Sequence, residues 1–308
     1  MTATCSAATL PSAFGRRVDA AVRHFLPQAE GVDFTQPPGE PALVGADSIS
    51  WRIFKNPVAL FIGGVTAVIL ELGEARVRSG VWEHTSFRTD PVRRLQRTGM
   101  AAMITVYGAR SVAEAMIAGV RRMHGKVRGE TPDGAAYAAN DQELLDWVQA
   151  TAGFGFAKAY DAYVRPLSQA ELSRLYAEAA PAARLYGAVG APTSEAEMRA
   201  LFDAMTPRLE ASPVVFEFLD ILGAAPILPA PLAPIQRLLI RAAVDIVPAE
   251  VRETLGIGPR LGLRPWERPL VRAAGALADR IRLNASPAVQ ACRRLGLPDD
   301  YLYRARPA

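Results

Sequence analysis

Four times along this chain a serine or asparagine is followed three residues later by glutamate and then by apolar residues three or four apart. The pairs are Ser111 with Glu114, Asn140 with Glu143, Ser168 with Glu171 and Ser194 with Glu197. This is the capping-box pattern: the first side chain accepts from an N–H that the helix start leaves unpaired, and the glutamate reaches back to the cap's own N–H. A fifth start reads from "TDPVRRL", where Thr89 or Asp90 caps and Pro91 takes the first helical position, at which its missing N–H costs nothing. Strand-like alternation is nearly absent, so the expected fold class is all-α.

A chain of 308 residues, half of them apolar, can bury a sizeable core. Its most apolar segment, "NPVALFIGGVTAVILELGEA", is bounded by Asn56 and Glu71. The uncharged run is about 14 residues against the roughly 20 needed to cross a bilayer, so a buried central helix is expected. A short helix over residues 14–25 and a Pro/Gly lead-in are expected within 1–45, and a dense helical core over 46–225. After the Pro-rich "APILPAPLAPIQ" comes a C-terminal helical layer over 226–308. The connection is short, which favours a single multi-helix domain over two independent ones.

The formal charge of +4 comes from 35 basic residues interleaved with 31 acidic ones along most of the chain. A phosphate-binding face needs clustered positive charge, so nucleic acid is not an expected partner. Cys5 and Cys292 lie at opposite ends without metal-like spacing, and the first 20 residues do not read as a signal peptide, so a reducing, cytoplasmic location is expected. No GxSxG, Gly-rich phosphate loop, CxxC or Glu-x-x-His pair is present, which disfavours hydrolases, nucleotide enzymes and di-iron bundles.

Two helices carry candidate chemistry. Arg94, Arg97 and Thr98 share one face of the Asp90–Tyr107 segment beside the apolar Leu95, Ala102, Met103 and Val106. Two guanidiniums there can grip carboxylates such as the propionates of a haem, although a solvated, ion-paired edge gives the same pattern and the residues alone favour it. On the next helix Val112, Met116, Val120, Met123 and Val127 form the expected buried stripe, with His124 at its border. Neutral imidazole is a common metal ligand, but a lone histidine is more often structural. "TPDG" reads as a turn that joins this helix to the next, near Asp141, as an antiparallel pair. Gln149, one turn after Leu145, must find polar partners, and His84 falls in the linker before the Arg94 helix, where a turn or cap role suffices.

Taken together, "GVWEHTSFRTDPVRRLQRTGMAAMITVYGA", "RRMHGKVRG" and "PDGAAYAANDQELLDWVQATAGFGFAKAY" resemble the oxygenase family of the latex-clearing proteins (rubber oxygenases) and MpaB-type oxygenases, over roughly residues 46–225. The resemblance implies an all-α fold with a globin-like core and additional helices, haem b between helices, and His124 as the iron ligand, with His84 the alternative. The latex-clearing Arg-x-x-Lys-Thr motif falls on Arg94, Arg97 and Thr98; Arg97, in the lysine's place, stays protonated and cannot ligate as a neutral nitrogen. Two histidines frequent in relatives are absent. Trp-Val-His reads Trp147, Val148 and Gln149 here, and Ala-His-Pro reads Gly73, Glu74 and Ala75. Glu74 as proton acceptor and Gln149 as hydrogen-bond donor to oxygen or substrate are the expected replacements. The function so implied is a haem-dependent oxygenase that uses O2 on an apolar, unsaturated or prenyl-like substrate. The alternative is a non-catalytic helical binding protein for an apolar ligand that has lost the cofactor. Peripheral contact of a basic amphipathic helix with a membrane is a further expectation.

Overall fold

A computed structural model describes residues 32–304; the helix expected at 14–25 lies outside the described residues. The fold is a single, mostly helical domain. Its elements are α1 (Ile49–Phe54), α2 (Pro57–Gly73), α3 (Ala75–His84), α4 (Pro91–Tyr107), α5 (Arg110–His124), strands β1 (Arg128–Glu130) and β2 (Ala136–Ala138), α6 (Gln142–Tyr163), α7 (Gln169–Tyr186), α8 (Glu195–Met205), α9 (Pro213–Ala224), α10 (Ala233–Asp245), α11 (Ala249–Thr254), α12 (Arg268–Arg280) and α13 (Pro287–Arg294).

The uncharged run becomes α2, the central helix, with Ile62, Ile69, Leu70 and Leu72 fully buried. Asn56 caps it by accepting from the Val58 and Ala59 N–H groups and ties it to α12 through the Gly275 carbonyl. α2 packs most extensively on α6 and also meets α10, α12, α9, α3 and α1. The α2–α6 crossing is glycine on glycine: a Cβ on Gly155 would stand 2.4 Å from the Gly63 carbonyl oxygen. After Gly73 the chain bends by 112° into α3. Among the described residues no single helix is long and apolar enough to cross a membrane; the bent α2–α3 pair passes by length and composition only, and most of α2 is core. A second apolar cluster joins α1, α4, α5 and α13, centred on Trp51 and Tyr107, whose rings meet edge-on at 5.0 Å.

Three of the five expected helix starts are caps. Ser168 and Glu171 form a complete capping box on α7. Ser194 caps α8, although Glu197 turns to the Thr193 N–H and hydroxyl instead, and Asp90 caps α4. Ser111 and Asn140 do not cap. α5 opens one residue before Ser111, whose N–H and hydroxyl go to Glu40 at 2.6 and 3.0 Å. Asn140 donates to the Arg121 carbonyl, and Glu143 is taken by Arg76 and Arg208. In both cases charged groups more than 60 residues away displace the local motif. Ser168→Ala is therefore expected to cost about 1 kcal/mol in denaturant unfolding, and Asn140→Ala clearly less.

Two further expectations are corrected. The "TPDG" turn forms, with Gly134 at φ 87° donating to the Thr131 carbonyl, but it closes the β1–β2 hairpin, in which Gly129 faces Tyr137. α5 consequently packs against α4 and α7 rather than alongside α6. In that position α5 buries Ala113 and Ile117, leaves Val112, Met116 and Val120 half-buried, and exposes Met123 to 61 %.

Candidate functional site

The two pairs α2–α6 and α4–α5 are each internally packed, yet neither helix of one pair packs closely on either helix of the other among the described residues. Half-buried residues at helical spacing lie on each of the four helices, and Glu71, Arg94 and His124 among them are coupled through their charges. These half-buried residues are Gly64, Val68 and Glu71 on α2, Val148 and Ala152 on α6, Arg94 and Ala101 on α4, and Met116, Val120 and His124 on α5. A Cβ at Gly64 would meet no atom within 4 Å. Tyr186 of α7 bridges α4 and α5, its hydroxyl 3.0 Å from that of Thr105 and 3.9 Å from the Met116 sulfur.

The polar members of this recess are electrostatically coupled. Burial pushes the Glu71 carboxyl up to about 7, against the opposing pull of Arg94 and of the Thr151 hydroxyl, which donates to it at 3.4 Å. Arg94 is held by Thr98, to whose hydroxyl it donates, while Thr98 donates back to the Arg94 carbonyl at 3.0 Å. Burial lowers the Arg94 guanidinium, Glu71 opposes the shift, and exposed Arg97 adds to it. His124 is shifted down, first by burial and then by the positive charge of Arg94, so its imidazole is neutral at neutral pH. Its Nδ1 is buried and has no hydrogen-bond partner. A buried nitrogen left so costs about 1–3 kcal/mol; five tryptophan and arginine nitrogens among the described residues share that condition, but the His124 nitrogen is the one of the six on a side chain able to ligate a metal.

The structure thus brings Arg94, Thr98 and His124 towards one recess and sets Arg97 on its solvent edge. It places the other candidates elsewhere. Glu74 is the buried N-cap of α3: one carboxylate oxygen accepts from the Val77 N–H and the other from Arg76, both at 2.8 Å. Gln149 faces α7 and α8, bordering a cleft of about 20 Å³ with Tyr176, Pro192 and Met198. His84 is not in a linker but ends α3, exposed, with Nε2 3.1 Å from the Tyr137 hydroxyl, which in turn donates to Glu83. Tyr137 and His124 share the wall of an open groove of about 920 Å³ between the end of α5 and the hairpin.

Sequence reasoning missed Glu71 and Thr151. The signal for Glu71 was present, since it is the one acid ending an uncharged run and follows Gly64 by seven residues, on the same helical face. Among the described residues no three His, Cys, Asp or Glu side chains converge to hold a bare metal ion. A metal at His124 therefore needs donors that the described residues do not supply.

Residues 51–280, from α1 through α12, match the catalytic domain described as ER-bound oxygenase mpaB/B′/rubber oxygenase. The chain belongs to this family. It is an oxygenase of the MpaB and rubber-oxygenase type, an enzyme for which O2 and an organic substrate are the implied reactants. No curated protein and no solved structure matches the chain.

Proposed function

We propose that this oxygenase is haem-dependent, with His124 as the protein ligand to iron and an apolar, unsaturated or prenyl-like molecule as substrate. The observation that carries the reading is the neutral, buried His124 ring whose Nδ1 has no partner, beside Arg94, at the space between two helix pairs. A haem brings four nitrogen donors of its own, so a single histidine is a sufficient protein ligand where a bare ion would find too few. The slot between α2–α6 and α4–α5 would be the counterpart of a globin-like haem site. Haem b, when bound, supplies the oxygen chemistry that side chains cannot.

The chain's own residues do the rest. Arg94, kept in place by Thr98, offers a fixed cationic fork to a propionate, and Arg97 a second at the rim. Val68, Val120, Val148 and Met116 make the walls apolar, which favours a hydrocarbon substrate and keeps bulk water out. Glu71, poised near neutrality and oriented by Thr151, is the group able to accept a proton inside this recess. Glu74 caps the helix that follows α2. Membership of an enzyme family favours this reading over a non-catalytic binding protein.

The test is an absorption spectrum of the protein purified from haem-supplied cells, followed by oxygen uptake on addition of an apolar polyene. A stoichiometric Soret band and substrate-dependent uptake are expected; no band at saturating haem would overturn the reading. Glu71 yields a separate expectation. Its carboxylate form prevails only above about pH 7, so turnover should rise with pH through that value. Glu71→Gln should lose that limb and about 10²- to 10⁴-fold in kcat. The stability sign runs the other way: a carboxyl raised in the fold from 4.5 to about 7 loses stability as pH climbs through that interval. At pH 8 the glutamine variant should therefore unfold no more easily than the wild type.

A further inference from the structure

α12 is docked by one side only. Val271 and Gly275 are buried against the body, and Gly275 approaches so closely that a Cβ would stand 2.3 Å from the Tyr163 carbonyl oxygen. The opposite side presents Leu270 and Leu277 at 51 and 60 % exposure, two turns apart on one stripe with exposed Ala273, and Trp266, in the turn just before the helix, is a further exposed apolar side chain at 60 %. Exposed Arg264, Arg272 and Arg280 flank it, Arg272 also donating to the Ala162 carbonyl at 3.0 Å, while Arg268 is paired with Asp245 at 2.6 Å. Residues 259–282 hold six arginines and two acids, an excess equal to the formal +4 of the whole chain, so the rest of the protein is balanced and its net charge is concentrated here. Both acids are turned inward, Glu267 to Arg241 at 3.0 Å and Asp279 to Lys55 at 2.8 Å. An apolar stripe bordered by cations is the pattern of a helix lying in a lipid interface, where tryptophan sits at headgroup depth and arginine meets phosphate.

We propose that the Leu270–Leu277 face of α12, with Trp266 of the turn that precedes it, docks the enzyme flat on an anionic membrane surface. Charge decides between the occupants. A second copy would set two arginine rows against each other, and residues 1–31, with Arg16, Arg17 and Arg23 against Asp19 and Glu30, carry no negative excess to match them. An anionic bilayer satisfies both the stripe and its flank. The proposal stands independently of the cofactor at His124.

The test is co-sedimentation of the full chain with phosphatidylcholine vesicles, with and without phosphatidylserine, at low and high salt. Binding is expected only with phosphatidylserine and should weaken as salt screens the arginines. Leu270→Glu with Leu277→Glu, and separately Arg272→Glu with Arg280→Glu, should each weaken binding by roughly tenfold or more. These side chains are exposed, so helical circular dichroism should be unchanged. Wild-type protein that stays in the supernatant at low salt, or vesicle binding that survives the two leucine substitutions, would overturn the proposal. A dimer that the leucine substitutions dissociate, without vesicle binding by the wild type, would overturn it by assigning the face to a second copy.

Discussion

Gly155→Val is expected to lower the stability of this protein more than any substitution on its surface, by about 3 kcal/mol or more. α2 and α6 cross with backbone against backbone: a Cβ on Gly155 would lie 2.4 Å from the Gly63 carbonyl oxygen and 3.3 Å from the Ala67 nitrogen, and a Cβ on Gly63 would lie 2.8 Å from the Phe156 Cα. These are main-chain atoms of two central helices and have no rotamer by which to retreat. The helices would have to separate, opening voids along Ile62, Ala157 and Ala159, all fully buried. Gly64, one residue from the crossing, is the control. Free space surrounds its Cβ direction, so Gly64→Ala should be neutral or gain up to about 1 kcal/mol from helix propensity. Urea unfolding of the two variants beside the wild type checks both signs, and equal losses would contradict the close crossing.

Much of this architecture is legible in the chain because it is local. An uncharged run with an asparagine at its head and proline at its first position can only be a buried helix, and α2 is one. Asp90–Pro91 and Ser168–Glu171 act through atoms within four residues of one another, and both caps form. The readings that fail do so at a distance. Ser111 meets Glu40, and Glu143 meets Arg76 and Arg208, and no local pattern announces such partners.

The site divides in the same way. Arg94 and Thr98, one turn apart, hold each other as their spacing suggests. Glu71 depends on where α2 lies relative to α4 and α6, and it is a site residue only because those helices bring Arg94 and Thr151 to it. Gln149 and Thr151 are two residues apart, about 200° around α6, so one meets α7 while the other meets Glu71.

The second large effect is expected at His124. Replacing it with alanine removes the neutral imidazole coupled to Arg94, and with it the iron ligand proposed above, so the chain should lose stoichiometric haem while its helical content is kept. His84 stands at the end of α3, engaged with Tyr137, and is the natural comparison. His84→Ala shares the loss of a histidine without touching the recess. The most direct measurement is the Soret absorption per chain of the wild type, His124→Ala and His84→Ala, all purified from haem-supplied cells. A band of one haem per chain in the wild type and in His84→Ala, absent in His124→Ala, is the expected result; an equal band in His124→Ala, or none in the wild type, would contradict it.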